Sequence, residues 1–189
     1  MDPLSRIFGS PARLKLLRLF VFNDDTTFPA SIVAFRARTS KDATRKELAV
    51  LVAAEFVKKR TGKGYMANKK FAHYNALAEF VRATTEIDDA DTIAVLKKAG
   101  SLRLVALSGL FTGALESKID LLVVGDKLEE RPLATAVRAL EAEIGREIRY
   151  ASFTTEQFKY RQGVYDRLLR DLFDFPHRAL IDKLGVTNT

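Results

Sequence analysis

Two groups of residues in this 189-residue chain are equipped for chemistry. The first lies within residues 36–70, where eleven bases stand against three acids, Asp42, Glu47 and Glu55. That stretch nets +8, against +7 for the whole chain, so everything outside it sums to −1. So localised a surplus is the footprint of a surface that attracts a polyanion. The second group is Gly109, Lys118 and Asp120. It offers a glycine that lets backbone amides approach an anion, a cation, and a carboxylate able to ligate a hard metal ion. One carboxylate beside a lysine falls short of a divalent-metal site, which needs more oxygen ligands. Lys118 is expected to pair with Asp120 or to touch an anion. No catalytic residue, metal or cofactor is therefore expected.

The rest of the composition closes off other chemistries. Without cysteine there is no disulfide framework, thiolate zinc site, iron–sulfur centre or cysteine nucleophile. His73 and His177 are too far apart in sequence to read as a metal pair. The first is expected on a helix surface, and the second, after Pro176, as a turn residue. No apolar run approaches the roughly 20 residues that cross a bilayer, and the first residues lack a signal peptide's apolar segment. The expectation is a soluble, cytoplasmic protein with no membrane partner.

Positioning the bases falls to a series of short elements. Ser10-Pro11 reads as an N-cap followed by proline at the first helical position. A helix over 12–22 then carries Leu14, Leu17 and Val21 at helical spacing, widened by Leu16, Leu19 and Phe20, and Asn23-Asp24-Asp25 ends it. A second helix is predicted over 29–37, with Ile32, Val33 and Phe35 as its apolar residues. Thr39-Ser40 caps a third over 41–54, expected to bury Ala43, Leu48, Leu51 and Val52. Residues 56–60 and 65–67 read as two strands around the turn Thr61-Gly62-Lys63-Gly64, a hairpin signal. A further helix is predicted over 71–84 and an acidic junction over 86–91.

Three helices followed by a basic hairpin make a winged helix-turn-helix. The runs Ala-Arg-Leu-Lys-Leu-Leu-Arg-Leu-Phe (12–20) and Arg-Lys-Glu-Leu-Ala-Val-Leu-Val-Ala-Ala-Glu-Phe-Val-Lys-Lys (45–59) resemble winged-helix domains of bacterial and archaeal transcription regulators. The resemblance covers roughly residues 8–70. It implies that the third helix presents its N-terminal residues to the major groove while the hairpin meets phosphates. Lys41, Asp42, Thr44 and Arg45 lie on the early polar face and suit base edges, with Ser40 at their cap. Arg38, Lys46, Lys58, Lys59, Arg60 and Lys63 suit phosphates.

Beyond residue 90 the pattern changes period. Strands are predicted over 102–107, 118–125 and 147–153. A helix over 132–144 carries Leu133, Val137, Leu140 and Ile144 on one face, and Ser108 to Gly113 form a small-residue loop. Strands alternating with a helix imply an α/β unit with a mixed sheet. Thr154-Thr155-Glu156-Gln157 opens a helix running through Phe158, Tyr165, Leu168, Leu169 and Leu172, and a last short helix is predicted over 177–184.

Ser108-Gly109 followed by Lys118-Ile119-Asp120-Leu121-Leu122-Val123-Val124-Gly125 resembles the minimal nucleotidyltransferase fold over about residues 95–185. The resemblance implies a Gly-Ser turn after the first strand, Asp-x-Asp at the start of the second and a third Asp on a later strand, together holding Mg²⁺ on a triphosphate. Here the turn reads Gly109-Leu110, the first carboxylate is Lys118, and Arg149 stands near the last expected acid. Gly109, Lys118 and Asp120 are thus a degenerate form of the motif.

The expected architecture is α+β or α/β in two domains. Residues 1–85 form a winged helix-turn-helix and 92–189 a nucleotidyltransferase-like mixed sheet with C-terminal helices. The expected function is a DNA-binding transcription regulator whose second domain is a pseudoenzyme serving dimerisation, partner binding or sensing. Its partners would be double-stranded DNA, a second copy in a homodimer, and a protein at the C-terminal domain. The alternatives are an active nucleotidyltransferase and the antitoxin of a toxin–antitoxin pair.

Overall fold

A computed structural model describes residues 3–186. The chain is mixed α/β, with nine α-helices, a two-stranded hairpin and a mixed four-stranded sheet among the described residues. Contacts divide it into two units. One comprises the residues up to Ile87 with Arg138–Glu147, the other Asp88–Val137 with the residues from Ile148 on.

The first unit is built around α2 (Pro11–Phe22), which follows α1 (Leu4–Ile7). The Ser10 hydroxyl accepts from the Arg13 N–H, and Pro11, which lacks a donor, sits where none is needed. Leu16, Leu19 and Phe20 are fully buried. Around them pack α3 (Ala30–Ala37), α4 (Lys41–Ala53) and α5 (Tyr74–Ala83), contributing Val33, Ala37, Leu48, Leu51, Tyr74, Ala78 and Val81 to one core. The hairpin strands β1 (Val57–Arg60) and β2 (Gly64–Ala67) pair antiparallel.

The predicted helices are present; α2 buries the residues predicted for it, while α3 and α4 depart from their predicted inward faces in part. On α3 the buried residues are Val33, Ala34 and Ala37, while Ile32 and Phe35 are 41% and 61% exposed. On α4 the buried residues are Thr44, Glu47, Leu48 and Leu51, spaced three and four apart along one stripe, whereas Ala43 and Val52 are half-buried. On α4 Leu48 and Leu51 are buried as predicted, and Thr44 and Glu47 were missed because a threonine and a glutamate look polar in sequence. Residues 138–147 complete this unit. The buried Arg18 donates to Glu143 O at 3.1 Å and to the Thr85 hydroxyl at 3.1 Å, and Asn23 donates to Gly145 O at 2.7 Å.

The second unit opens with α6 (Asp89–Leu96), where a junction was predicted. Asp88 caps it, accepting from the Asp91 N–H, and Asp89 and Asp91 lie in its first turn, where the helix dipole favours negative charge. The sheet contains β3 (Ser101–Leu107), β4 (Leu121–Asp126), β5 (Tyr150–Phe153) and β6 (Arg178–Asp182) in the order β5-β4-β3-β6. Only β4 and β5 run parallel. Between them the chain forms α7 (Glu130–Ile144), on which Leu133, Val137, Leu140 and Ile144 are all buried. Thr154 and Gln157 form a capping box on α8 (Thr155–Gly163), and α9 (Arg167–Asp174) follows. Phe158, Leu169 and Leu172 from these two helices pack on Leu104, Leu122 and Val124.

Two expectations for this unit are corrected. The helix predicted from Thr154 through Leu172 is broken at Tyr165, whose φ is +54°, and Asp166 caps a new helix by accepting from Leu168 and Leu169. The helix predicted over 177–184 is instead the strand β6. Pro176 holds Phe175 extended, and the open edge of β3 takes Arg178–Asp182 alongside it as a strand.

Candidate functional site

The polar face of α4 is set by what its other face does. Glu47 turns inward, where its carboxylate accepts from Arg13 Nε at 2.8 Å, and Arg13 also donates to Phe8 O. Ser40 caps the helix by accepting from the Ala43 N–H. With 44, 47, 48 and 51 facing inward, Lys41, Asp42, Arg45 and Lys46 face solvent. Arg45 and Asp42 approach to 3.8 Å and both are largely exposed, so neither charge is neutralised by burial.

Thr44 belongs to the interior and not among base-reading residues, which corrects its assignment. It is 1% exposed, exchanges a hydrogen bond with the Thr39 hydroxyl at 2.7 Å and donates to Ser40 O at 2.9 Å. The other ten residues assigned to DNA, namely Arg38, Ser40, Lys41, Asp42, Arg45, Lys46, Lys58, Lys59, Arg60 and Lys63, are exposed. Arg38 sits between α3 and α4 with φ +50°, its N–H closing the end of α3.

The hairpin carries three consecutive exposed bases, Lys58, Lys59 and Arg60. Strand alternation puts Lys58 and Arg60 on one face and Lys59 on the other. Phe28 fixes the hairpin through two backbone hydrogen bonds with Tyr65, 2.8 and 2.9 Å. Gly64 is required there, because a Cβ would collide with the Phe28 carbonyl oxygen. Other bases of the stretch serve the fold. Arg36 lies 5.2 Å over the Phe28 ring and 3.5 Å from Glu147, and Lys69 pairs with Asp24 and Asp25. Asp24 also accepts from Tyr74, whose phenol is pushed up to about 12 by burial and by that carboxylate.

In the second unit, Asp120 and Arg149 immediately precede β4 and β5. The parallel register opposes Leu121 to Tyr150, which brings the two preceding residues side by side. Asp120 Oδ1 accepts from Leu110 N (2.8 Å) and Arg149 Nη2 (2.7 Å); Oδ2 accepts from Arg149 N (2.9 Å) and Arg149 Nε (3.0 Å). Burial pushes the Asp120 carboxyl up, but the guanidinium and the two backbone donors outweigh it and hold the group below the usual carboxylate range. Gly109 has φ +49°, and a Cβ there would strike Asp120 Oδ1.

Lys118 does not pair with Asp120, whose partner is Arg149. Its side chain is exposed, and its backbone N–H donates to Asp171 Oδ2 at 2.6 Å. Ser108 Oγ donates to Pro176 O. His73 is exposed at the start of α5, and His177 is half-buried against the Phe173 ring with Nδ1 2.9 Å from Phe175 O.

A divalent ion does not fit these residues. A carboxylate offers about four acceptor positions, and those of Asp120 meet four N–H donors. Among the described residues, no three His, Cys, Asp or Glu side chains gather in a metal-binding group. In the sequence Asp120 and Arg149 fall inside predicted strands; the structure starts those strands one residue after each, and the parallel register makes the two residues neighbours.

No family model, curated protein or solved structure matches the chain. No helix among the described residues is long and apolar enough to cross a membrane.

Proposed function

We propose that the protein is a DNA-binding transcription regulator, with the first unit a winged helix-turn-helix and the second an inactive nucleotidyltransferase-like module. The observation that carries the reading is the exposed basic face. Lys41, Arg45 and Lys46 project from the start of α4, and Lys58, Lys59, Arg60 and Lys63 line the adjoining hairpin. A helix start beside a basic hairpin suits a major groove and its flanking phosphates. Arg45 is assigned to a base edge and Lys63 to a phosphate. Binding to half-sites favours a homodimer, and the second unit supplies dimerisation, partner binding or sensing. The occupied lone pairs of Asp120 support its inactivity.

The test compares two substitutions on preferred and unrelated duplexes. Arg45→Ala should lose about ten- to a hundredfold on the preferred site and relax base choice. Lys63→Ala should weaken all duplexes alike and reduce the salt slope by about one. If both substitutions behave alike, the assignment of Arg45 as a reading residue is wrong.

A further inference from the structure

The end of α8 carries a tyrosine where helices ordinarily place glycine. The Tyr165 N–H donates to Gln162 O at 3.2 Å and the Asp166 N–H to Arg161 O at 2.9 Å, the paired bonds that close a helix through a left-handed residue. That residue is Tyr165, with φ +54°, a conformation that a side chain disfavours. Arg161 holds the turn, pairing with Asp166 at 2.7 Å and lying 4.6 Å over the Phe153 ring, while Asp166 caps α9. Burial does not offset the strain, because Tyr165 is 80% exposed. Tyr160 is 72% exposed, and Val164, also exposed, follows it one helical turn later. The two tyrosines are the most exposed aromatic residues among those described. Lys159, Arg167 and Arg170 are exposed around them and make no ion pair among the described residues. From 159 to 170 the one acid is Asp166, which Arg161 occupies.

We infer that this elbow binds a single-stranded nucleic acid, its tyrosines stacking on bases and its three cations meeting phosphates. Rings interleaved with cations match a strand that alternates bases with phosphates, and an open ring face accepts any base. Strain kept at an exposed residue is the mark of a position held for function. A second copy of the chain would bring the same three cations against these, a like-charge contact. A protein partner would be gripped by a contiguous apolar patch, whereas Val164 alone accompanies the two rings. The inference gives a chemical class to the partner of the second unit and rests on reading that unit as a partner-binding module. It needs no duplex contact by the first unit.

The experiment measures fluorescence anisotropy of labelled probes with the full chain. The probes are an oligodeoxythymidylate of about 12 nucleotides, an abasic strand of the same length, and an acidic peptide of equal charge. The abasic strand carries phosphates without bases, so the preference between the two strands reports stacking and cancels phosphate attraction by either unit. Wild type should prefer the strand with bases. Tyr160→Ala and Tyr165→Ala should each lower that preference about fivefold or more, and Tyr160→Phe and Tyr165→Phe should retain it. Tyr165→Gly should also lose it while melting no lower than wild type, since glycine accepts the left-handed conformation. Arg167→Ala should instead reduce the salt slope by about 0.7 and leave the preference intact. The inference is overturned if wild type binds both strands alike, or if the folded alanine and glycine variants keep the preference. It is equally overturned if the tyrosines serve the acidic peptide and not the strand. The regulator reading fails by a different result, the absence of duplex binding at low salt.

Discussion

Glu47 of α4 accepts from Arg13 Nε of α2 at 2.8 Å, and this part-buried contact joins Leu48 and Leu51 in holding the inward face of α4. One of only three acids in the basic stretch is thereby withdrawn from the surface. The exposed face keeps a single acid, Asp42, beside Lys41, Arg45 and Lys46. Glu47→Ala should lower stability by about 1–2 kcal/mol, because Arg13 is partly exposed and can regain water. Urea unfolding measures this, and an unchanged midpoint would show that the contact does not anchor the helix.

Thr44 and Arg45 are adjacent, yet their substitutions should separate cleanly. Thr44→Val removes a buried hydroxyl with two hydrogen bonds and should cost about 1 kcal/mol of stability, leaving base preference as it was. Arg45→Ala should leave stability within about 0.5 kcal/mol and impair duplex selection. Paired urea melts and duplex titrations distinguish them, and a loss of base preference in folded Thr44→Val would contradict the burial argument.

Asp120 should make the protein acid-sensitive. Its folded pKa lies below the ordinary value, so its contribution to stability is fully present above the unfolded value near about 3.9 and is lost as pH falls through the folded value. Asp120→Asn should be less stable at neutral pH and show a flatter decline below about pH 4. Equal slopes for both proteins would remove Asp120 as the source.

Tyr74 predicts the opposite end of the pH scale. Its pKa is raised to about 12 by burial and by Asp24. Stability is therefore intact below the unfolded value near about 10 and falls as pH rises toward the folded one. Ultraviolet titration should find one of the five tyrosines ionising late. Asp24→Asn should bring it earlier, and an unaltered late phase in that variant would rule out the carboxylate's role.

Local signals in the sequence located most elements. Ser10, Ser40 and Thr154 cap helices where their residue types place them, and Gly62 and Gly64 mark the hairpin. What escaped depended on distant partners. Arg178 to Asp182 read as a helix until β3 offers an edge, and Thr44 reads as a surface residue until Thr39 and Ser40 engage its hydroxyl. At the candidate sites, exposure of Lys41, Arg45 and Lys46 follows the helix period of α4. The Asp120–Arg149 pair does not, since it arises from a parallel register between segments 29 residues apart.

The central claim is tested most directly by the affinity of the wild-type protein for duplex DNA across a range of salt concentrations. If Arg38, Lys46, Lys58, Lys59, Arg60 and Lys63 each displace one counterion, log K should fall against log salt with a slope of about −5. Absence of duplex binding at low salt, where phosphate attraction is least screened, or binding indifferent to salt, would contradict the account.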